Sequence, residues 1–368
     1  MYINFIILPF IVIFGLLLSD KDKNRMLFII VISLILLLES ALRNLYLIAD
    51  TYTYYETFTI KVPSMTWSEI WKGFVDRYFG QGAEEYDFGF YIIQKIIGSF
   101  TDSFQVFTFI SQLIYFVPMG IFLYRYSQNM RQLIFAFVFY VAIIHFGAIG
   151  GGRQVLARGC WIMAFMMIND TKYIKGAIWL LIGLTFHFSI LVVLLAVALG
   201  FLKPVLLKNI HLFAFLALPF VFFSPTQLIL FMANISGTER YATYGEHTIA
   251  GGATTFITLM MLLSLFCFIM IRKDELERNN YLKKVYAMLP CLTIFTPLMI
   301  ADGVMIRLSN YFHMFLMLLI PYAIEQFKDK KIASAVYVIM VGVLCFLALK
   351  DGGLKYYFFW QDVGYRGF

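Results

Sequence analysis

The chain has 368 residues, a length that ordinarily holds two or three soluble domains, yet 61% of them are hydrophobic and only 14% are charged. Soluble proteins run at about 45–50% and about 25%, so this chain cannot coat itself for water and its solvent is largely lipid. That excludes a secreted soluble protein and a nucleic-acid module, and the net charge of +7 needs no nucleic-acid partner, because Lys and Arg in cytoplasmic loops of membrane proteins produce it.

Apolar runs lie at 2–18, 26–49, 104–123, 133–149, 154–170, 176–201, 211–232, 253–271, 285–301, 309–327 and 332–350. They lack the alternating segments of roughly 10 residues that mark a β-barrel. Inside lipid every backbone amide must bond within its own segment, so the runs are helices. The fold class is an all-α polytopic membrane protein with about 10–12 transmembrane helices, a crossing needing roughly 17–25 residues. It reads as one transmembrane helical domain over 1–368. The first run has no charged residue before it and a second run follows at once, so it is a span, not a cleavable signal. Residues 88–100 are too short to cross and suit a re-entrant or interfacial helix. In the loop 50–87, Trp67, Ile70, Trp71, Phe74 and Tyr78 share one face of a helix over 66–79. That helix lies either on the outer membrane surface or packed on the bundle. A second long loop spans 233–252.

Positive charge sets the orientation. The loops 19–25, 124–132, 169–175, 202–210, 272–284 and 328–331 hold 17 Lys and Arg. The alternate set, 50–87, 150–153, 233–252, 302–308 and 351–368, holds eight over far more residues. The first set is cytoplasmic and the second faces outward. Parity then requires that either 176–201 or 211–232 enters and returns. His187 interrupts the first run, and Pro219 and Pro225 the second. Broken helices are tolerated where they line a cavity, so an outer-face cavity borders this region.

Ionisable residues in spans are expensive and mark function. Glu39 and Arg43 are four apart, on one helical face, where they pair. Asp50 ends that run and Asp87 opens the short segment 88–100. Arg153 follows three glycines and opens a helix, where the backbone approaches a ligand closely and the helix N-terminus favours an anion. Asp302 and Arg307 bracket the turn before 309–327. His187 joins this set if its run turns back there, or is a hydrogen-bonded core residue. Several arginines at one face suit a diphosphate, whose oxygens match the guanidinium fork. A neighbouring carboxylate or histidine supplies a general base. Cys160, Cys267, Cys291 and Cys345 lie in apolar runs and read as core residues. The sequence shows no metal-binding or nucleotide-binding motif, so no metal or cofactor is expected.

These residues fall in segments with a familiar order. ALRNLYLIADTYTYYETF (41–58), YDFGFYIIQKII (86–97), GGGRQVLARG (150–159), LTFHFSILVV (184–193) and IRLSNYFHMFLMLLIP (306–321) resemble successive segments of Wzy/EpsG-type bacterial polysaccharide polymerases. Phe188 stands where the family pattern has a small or basic residue. Arg240 and Gly251 match the family's looser Arg-x10-Gly pattern in the second outer loop, at the frequency chance supplies. The resemblance implies a metal-independent glycosyltransferase of the bacterial inner membrane. Such an enzyme polymerises undecaprenyl-diphosphate-linked repeat units into O-antigen, capsule or exopolysaccharide at the outer face. For that reaction the outer Arg/Asp/His set supplies His187, Asp50 and Asp87 as candidate catalytic groups, and Arg153, Arg307, Arg43, Arg240 and Asp302 as candidate contacts to diphosphate and glycan. A chain-length regulator in the same membrane is the expected protein partner. A ligase of lipid-linked glycans would use the same donor, and a flippase the same lipid.

Overall fold

The computed structural model describes residues 3–80, 87–150, 152–223, 252–300, 303–350 and 355–362. Among them the regular structure is helical, apart from one isolated antiparallel bridge between Arg43 and Phe358. The polytopic all-α class expected from composition is the one observed. Where the sequence reads as one helical domain, the packing groups the chain into two compact units. One is Met1–Ile190 with Val338–Phe368, the other Leu191–Tyr337.

The first unit opens with α1 (Asn4–Leu17) and α2 (Asp22–Ala41). The run 26–49 predicts a longer second helix, but α2 stops at Ala41. Its exit is taken over by the C-terminal segment: Asn44 N donates to the Tyr357 carbonyl at 2.8 Å, and Phe359 N to that of Leu42 at 2.9 Å. The expected pairing of Glu39 with Arg43 is therefore lost, since Arg43 has left the helix. Glu39 Oε2 instead lies 2.8 Å from His145 Nε2.

The loop 50–87 is more helical than its polar composition suggests. α3 (Ala49–Glu56) continues through a π turn, Thr57–Lys61, into Val62–Ser64. The cause is a buried stripe at helical spacing, Tyr54, Phe58 and Val62. Lys95 Nζ donates to the Val62 and Pro63 carbonyls, 3.1 Å each, and so caps this helix at its carbonyl end. α4 (Trp67–Phe79) is the anticipated amphipathic helix. It starts on a capping box in which the Thr66 hydroxyl accepts from Glu69 N and Glu69 accepts from Thr66 N. That backbone hydrogen bond holds the Glu69 carboxyl below its ordinary pKa. Ile70 is buried, while Trp67 and Trp71 keep large exposed areas.

α5 (Phe88–Gly98) is the short segment. α6 (Phe104–Tyr126) and α9 (Gly152–Asn169) cross the unit side by side. Between them lie α7 (Met130–Phe139), a π turn at Tyr140–Ile144, and α8 (His145–Gly150). α10 (Tyr173–Phe186) ends at the interruption expected at His187. That residue is extended, at φ −162° and ψ 122°, and a 3-10 turn follows over Phe188–Val192. The break is local chemistry: Ser189 N donates to His187 Nδ1 at 3.2 Å, and Ser189 Oγ lies 2.8 Å from the same nitrogen. Side-chain bonds of this kind compete with the helix ladder.

Three of the basic loops meet at one end of this unit. Arg25 donates to the Gln128 carbonyl at 2.6 Å, and Asp20 accepts from Met130 N at 3.0 Å. Arg125 grips Asp170 with both guanidinium nitrogens, one at 2.9 Å, and holds that carboxyl below its usual range. Loops 19–25, 124–132 and 169–175, which the charge count assigns to one side, thus lie together.

The second unit holds α11 (Val193–Gly200), α12 (Pro204–Leu216), α13 (Leu218–Phe223), α14 (Gly252–Met270), α15 (Lys273–Arg278), α16 (Asn280–Tyr286), α17 (Met288–Phe295), α18 (Ile306–His313) and α19 (Leu316–Glu325). The last helix among the described residues is α20 (Lys330–Leu349). The run 211–232 is broken between α12 and α13, just before Pro219. Its remainder, with Pro225, lies outside the described residues. The run 309–327 reads as one helix but is two, Gly303–His313 and Leu316–Glu325, bent by 56°. Among the described residues four helices are long and apolar enough to cross a bilayer: α2, α6, Asn280–Ile300 and α20. A fifth is added if the bent pair is one span.

Candidate functional site

Arg153 stands in the first turn of α9, and Asp170 directly follows its last residue. A helix of 18 residues is about 27 Å long, close to the roughly 30 Å of a hydrocarbon core. Arg153 therefore marks the end of the unit opposite the three basic loops.

There Arg153 Nη1 donates to Asp87 Oδ2 at 2.6 Å. The Asp87 side chain is 7% exposed and that of Arg153 29%, so the pair has one buried member and one that reaches the surface. Behind it, the Arg153 guanidinium sits 5.8 Å from the centroid of the Tyr54 ring. Tyr54 packs edge-on against Phe90 at 5.2 Å, and its carbonyl accepts from Gln94 Nε2 at 3.4 Å. Tyr54 also explains a glycine. A Cβ on Gly152 would lie 2.7 Å from the Tyr54 ring, so only glycine lets α9 start against that aromatic face.

His187 borders the same place through α5. A Cβ on Gly89, two residues beyond Asp87, would meet Thr185 Oγ1 at 2.2 Å and Phe186 Cδ1 at 3.0 Å. The first turn of α5 thus packs directly on the end of α10, where His187 follows. Because Ser189 N donates to Nδ1, a neutral His187 carries its ring proton on Nε2.

Asp50 lies in the first turn of α3, one turn before Tyr54. Arg43 is 4% exposed. Its guanidinium donates to the Ser40 carbonyl and to Ser40 Oγ at 3.1 Å, and through Nε to Thr51 Oγ1 at 3.3 Å. It ties the end of α2 to the start of α3 instead of standing open to a ligand. The C-terminal segment closes this corner: Tyr356 is fully buried and donates to the Glu39 carbonyl at 2.6 Å.

The first unit thus gathers Arg43, Asp50, Asp87, Arg153 and His187 around α3, the start of α5 and the start of α9. Arg307 belongs to the second unit, in the first turn of α18. Arg240 and Asp302 lie outside the described residues. Among the described residues no three His, Cys, Asp or Glu side chains are grouped to hold a metal ion. In sequence Tyr54 stands out only as part of the family-like segment 41–58, and His145 shows no partner pattern, because Glu39 is 106 positions away.

The family model of the EpsG family matches residues 26–351. The chain belongs to the EpsG family. This is a family of Wzy-type polysaccharide polymerase-like proteins, and the match covers the Arg153–Asp87 pair, the His187 break, the whole second unit and most of the first. No curated protein and no solved structure matches the chain. Family membership and the apolar helices together make this EpsG-family chain a membrane protein of polysaccharide biosynthesis.

Proposed function

We propose that this EpsG-family protein is a membrane glycosyltransferase. It lengthens a polysaccharide by moving the growing glycan from an undecaprenyl-diphosphate carrier onto the terminal hydroxyl of a new lipid-linked repeat unit. The observation that supports it most is the Arg153–Asp87 pair at the end of α9 opposite the basic loops. By the positive-inside rule that end faces outward, where lipid-linked units are presented for polymerisation at the bacterial inner membrane.

The pair suggests how donor binding prepares the chemistry. Arg153 is held by Asp87 until a diphosphate competes for the guanidinium, which fits phosphate oxygens bidentately. Exchange of partners frees the buried Asp87 carboxylate to accept a proton. The acceptor hydroxyl then attacks the anomeric carbon and gives its proton to Asp87. The bond from that carbon to the diphosphate oxygen breaks, and its electron pair leaves with the diphosphate, neutralised by Arg153. His187, with its proton on Nε2, is suited to donate to a phosphate oxygen. This favours Asp87 over His187 as the base. Asp50 remains the alternative carboxylate. Arg43 serves by fixing the start of α3. Arg307, Arg240 and Asp302 remain proposed substrate contacts, and a chain-length regulator remains the proposed protein partner.

Two experiments test this reading. In intact cells, Lys72→Cys on α4 should react with a membrane-impermeant thiol reagent and Arg278→Cys at the end of α15 should not. The reverse pattern would place the pair on the cytoplasmic face and end the proposal. Cells lacking the protein should accumulate single repeat units on lipid at the outer face and lose long chains. Trapping of those units on the inner face would identify a flippase instead.

A further inference from the structure

α8 is a helix of six residues set between a π turn and the glycines that precede Arg153. Gly147, Gly150, Gly151 and Gly152 give this stretch little helical preference of its own. Its position must be imposed from outside, and whatever fixes it also fixes the start of α9.

Two buried charged side chains do this. From the last turn of α2, Glu39 Oε2 lies 2.8 Å from His145 Nε2, the first residue of α8. From α9, Arg158 Nη2 donates to the Gly147 carbonyl at 3.2 Å. Arg158 is 1% exposed and Glu39 4%. Aromatic rings pack on Arg158 and on His145. The Arg158 guanidinium sits 5.5 Å from the Tyr115 ring centroid, and the Tyr140 ring lies 5.4 Å from that of His145. The Glu39 backbone is itself held by Tyr356. Arg158 follows Arg153 by five positions on one helix, a rise of about 7.5 Å.

Burying such groups at membrane depth is costly. Well-packed apolar residues often match or exceed a buried ion pair in stability. A role in stability alone therefore does not call for this arrangement, whereas fixing one short glycine-flanked helix from both sides does.

We propose that Glu39, His145 and Arg158 form a buried brace that sets the location of Arg153, and that they are positioning residues for the glycosyl transfer. The functional half of this statement rests on the polymerase reading above; the geometric half does not.

The geometric half is tested with spin labels on Arg153→Cys and Lys72→Cys, after replacement of the four native cysteines. The parent should give a narrow distance distribution, and Glu39→Gln or Arg158→Met should broaden or shift it. An unchanged distribution in both variants overturns the brace, whatever the protein catalyses. The functional half is tested by a double-mutant cycle on otherwise native protein. Glu39→Gln and Arg158→Lys should each lower kcat/KM for the lipid-linked donor about tenfold, yet change it less than about twofold in an Arg153→Lys background, since coupled residues are non-additive. A full tenfold loss in that background would show that they do not act through Arg153. If Arg153→Lys itself leaves kcat/KM unchanged, it is the diphosphate assignment that fails, and the distance measurement still decides the brace.

Discussion

Asp87→Asn should lower the rate of chain extension by roughly 10²–10⁴-fold, the usual contribution of a general base, while tightening the binding of the lipid-linked donor. The second effect follows from the 2.6 Å contact with Arg153. In the unliganded protein the carboxylate occupies the guanidinium that the diphosphate needs, so removing its charge removes a competitor. The expected signature is a lower KM for donor together with a collapsed kcat. A residue that only stabilised the fold would lower the yield of inserted protein and leave the kinetics of the remainder unaltered. His187→Gln is the contrasting substitution. The amide of Gln can still donate to a phosphate oxygen but cannot accept a proton from the acceptor, so substantial activity should survive. If His187→Gln is as inactive as Asp87→Asn is expected to be, and Asp87→Asn is not, the base is His187.

Arg153→Lys should reduce kcat/KM for the donor by roughly 10- to 100-fold, the equivalent of about 1.5–3 kcal/mol for a lost hydrogen bond to a charged group. The charge remains, but a single ammonium replaces the planar fork that sits 5.8 Å from the Tyr54 ring centroid. The loss should appear with diphosphate-linked donors and shrink with a monophosphate-linked analogue, which presents fewer oxygens to the fork. An equal loss with both would mean that Arg153 holds the chain in shape and does not grip the diphosphate.

The sequence carried those parts of the fold whose causes are local. Thr66 and Glu69 cap α4 from within four residues, and His187 breaks its helix with Ser189, two positions on. Glycines beside an arginine announce a helix start under close approach, which Tyr54 then supplies. What stayed hidden depends on distant partners. α2 ends at Ala41, not at the end of its apolar run, because residues 357–359 pair with 42–44 across the length of the chain. Helical spacing predicts that Glu39 pairs with Arg43, and that spacing is lost because the helix ends at Ala41. The bend between His313 and Leu316 falls on Met314 and Phe315, apolar residues that leave no mark in hydropathy. In the site itself, the types and the end of the bundle were legible, since Arg and Asp in apolar surroundings stand out. Which arginine meets which acid was not, because Asp87 and Arg153 are joined only when α5 and α9 pack together.

Chain extension by the purified protein in lipid vesicles tests the central claim most directly. Supplied only with diphosphate-linked repeat units, the wild type should convert them into a ladder of longer lipid-linked glycans and release free carrier diphosphate, while Asp87→Asn and Arg153→Lys, inserted to the same level, should leave single units largely unconverted. A protein that binds the units yet yields no ladder, or a ladder of wild-type length from both variants, would contradict the account.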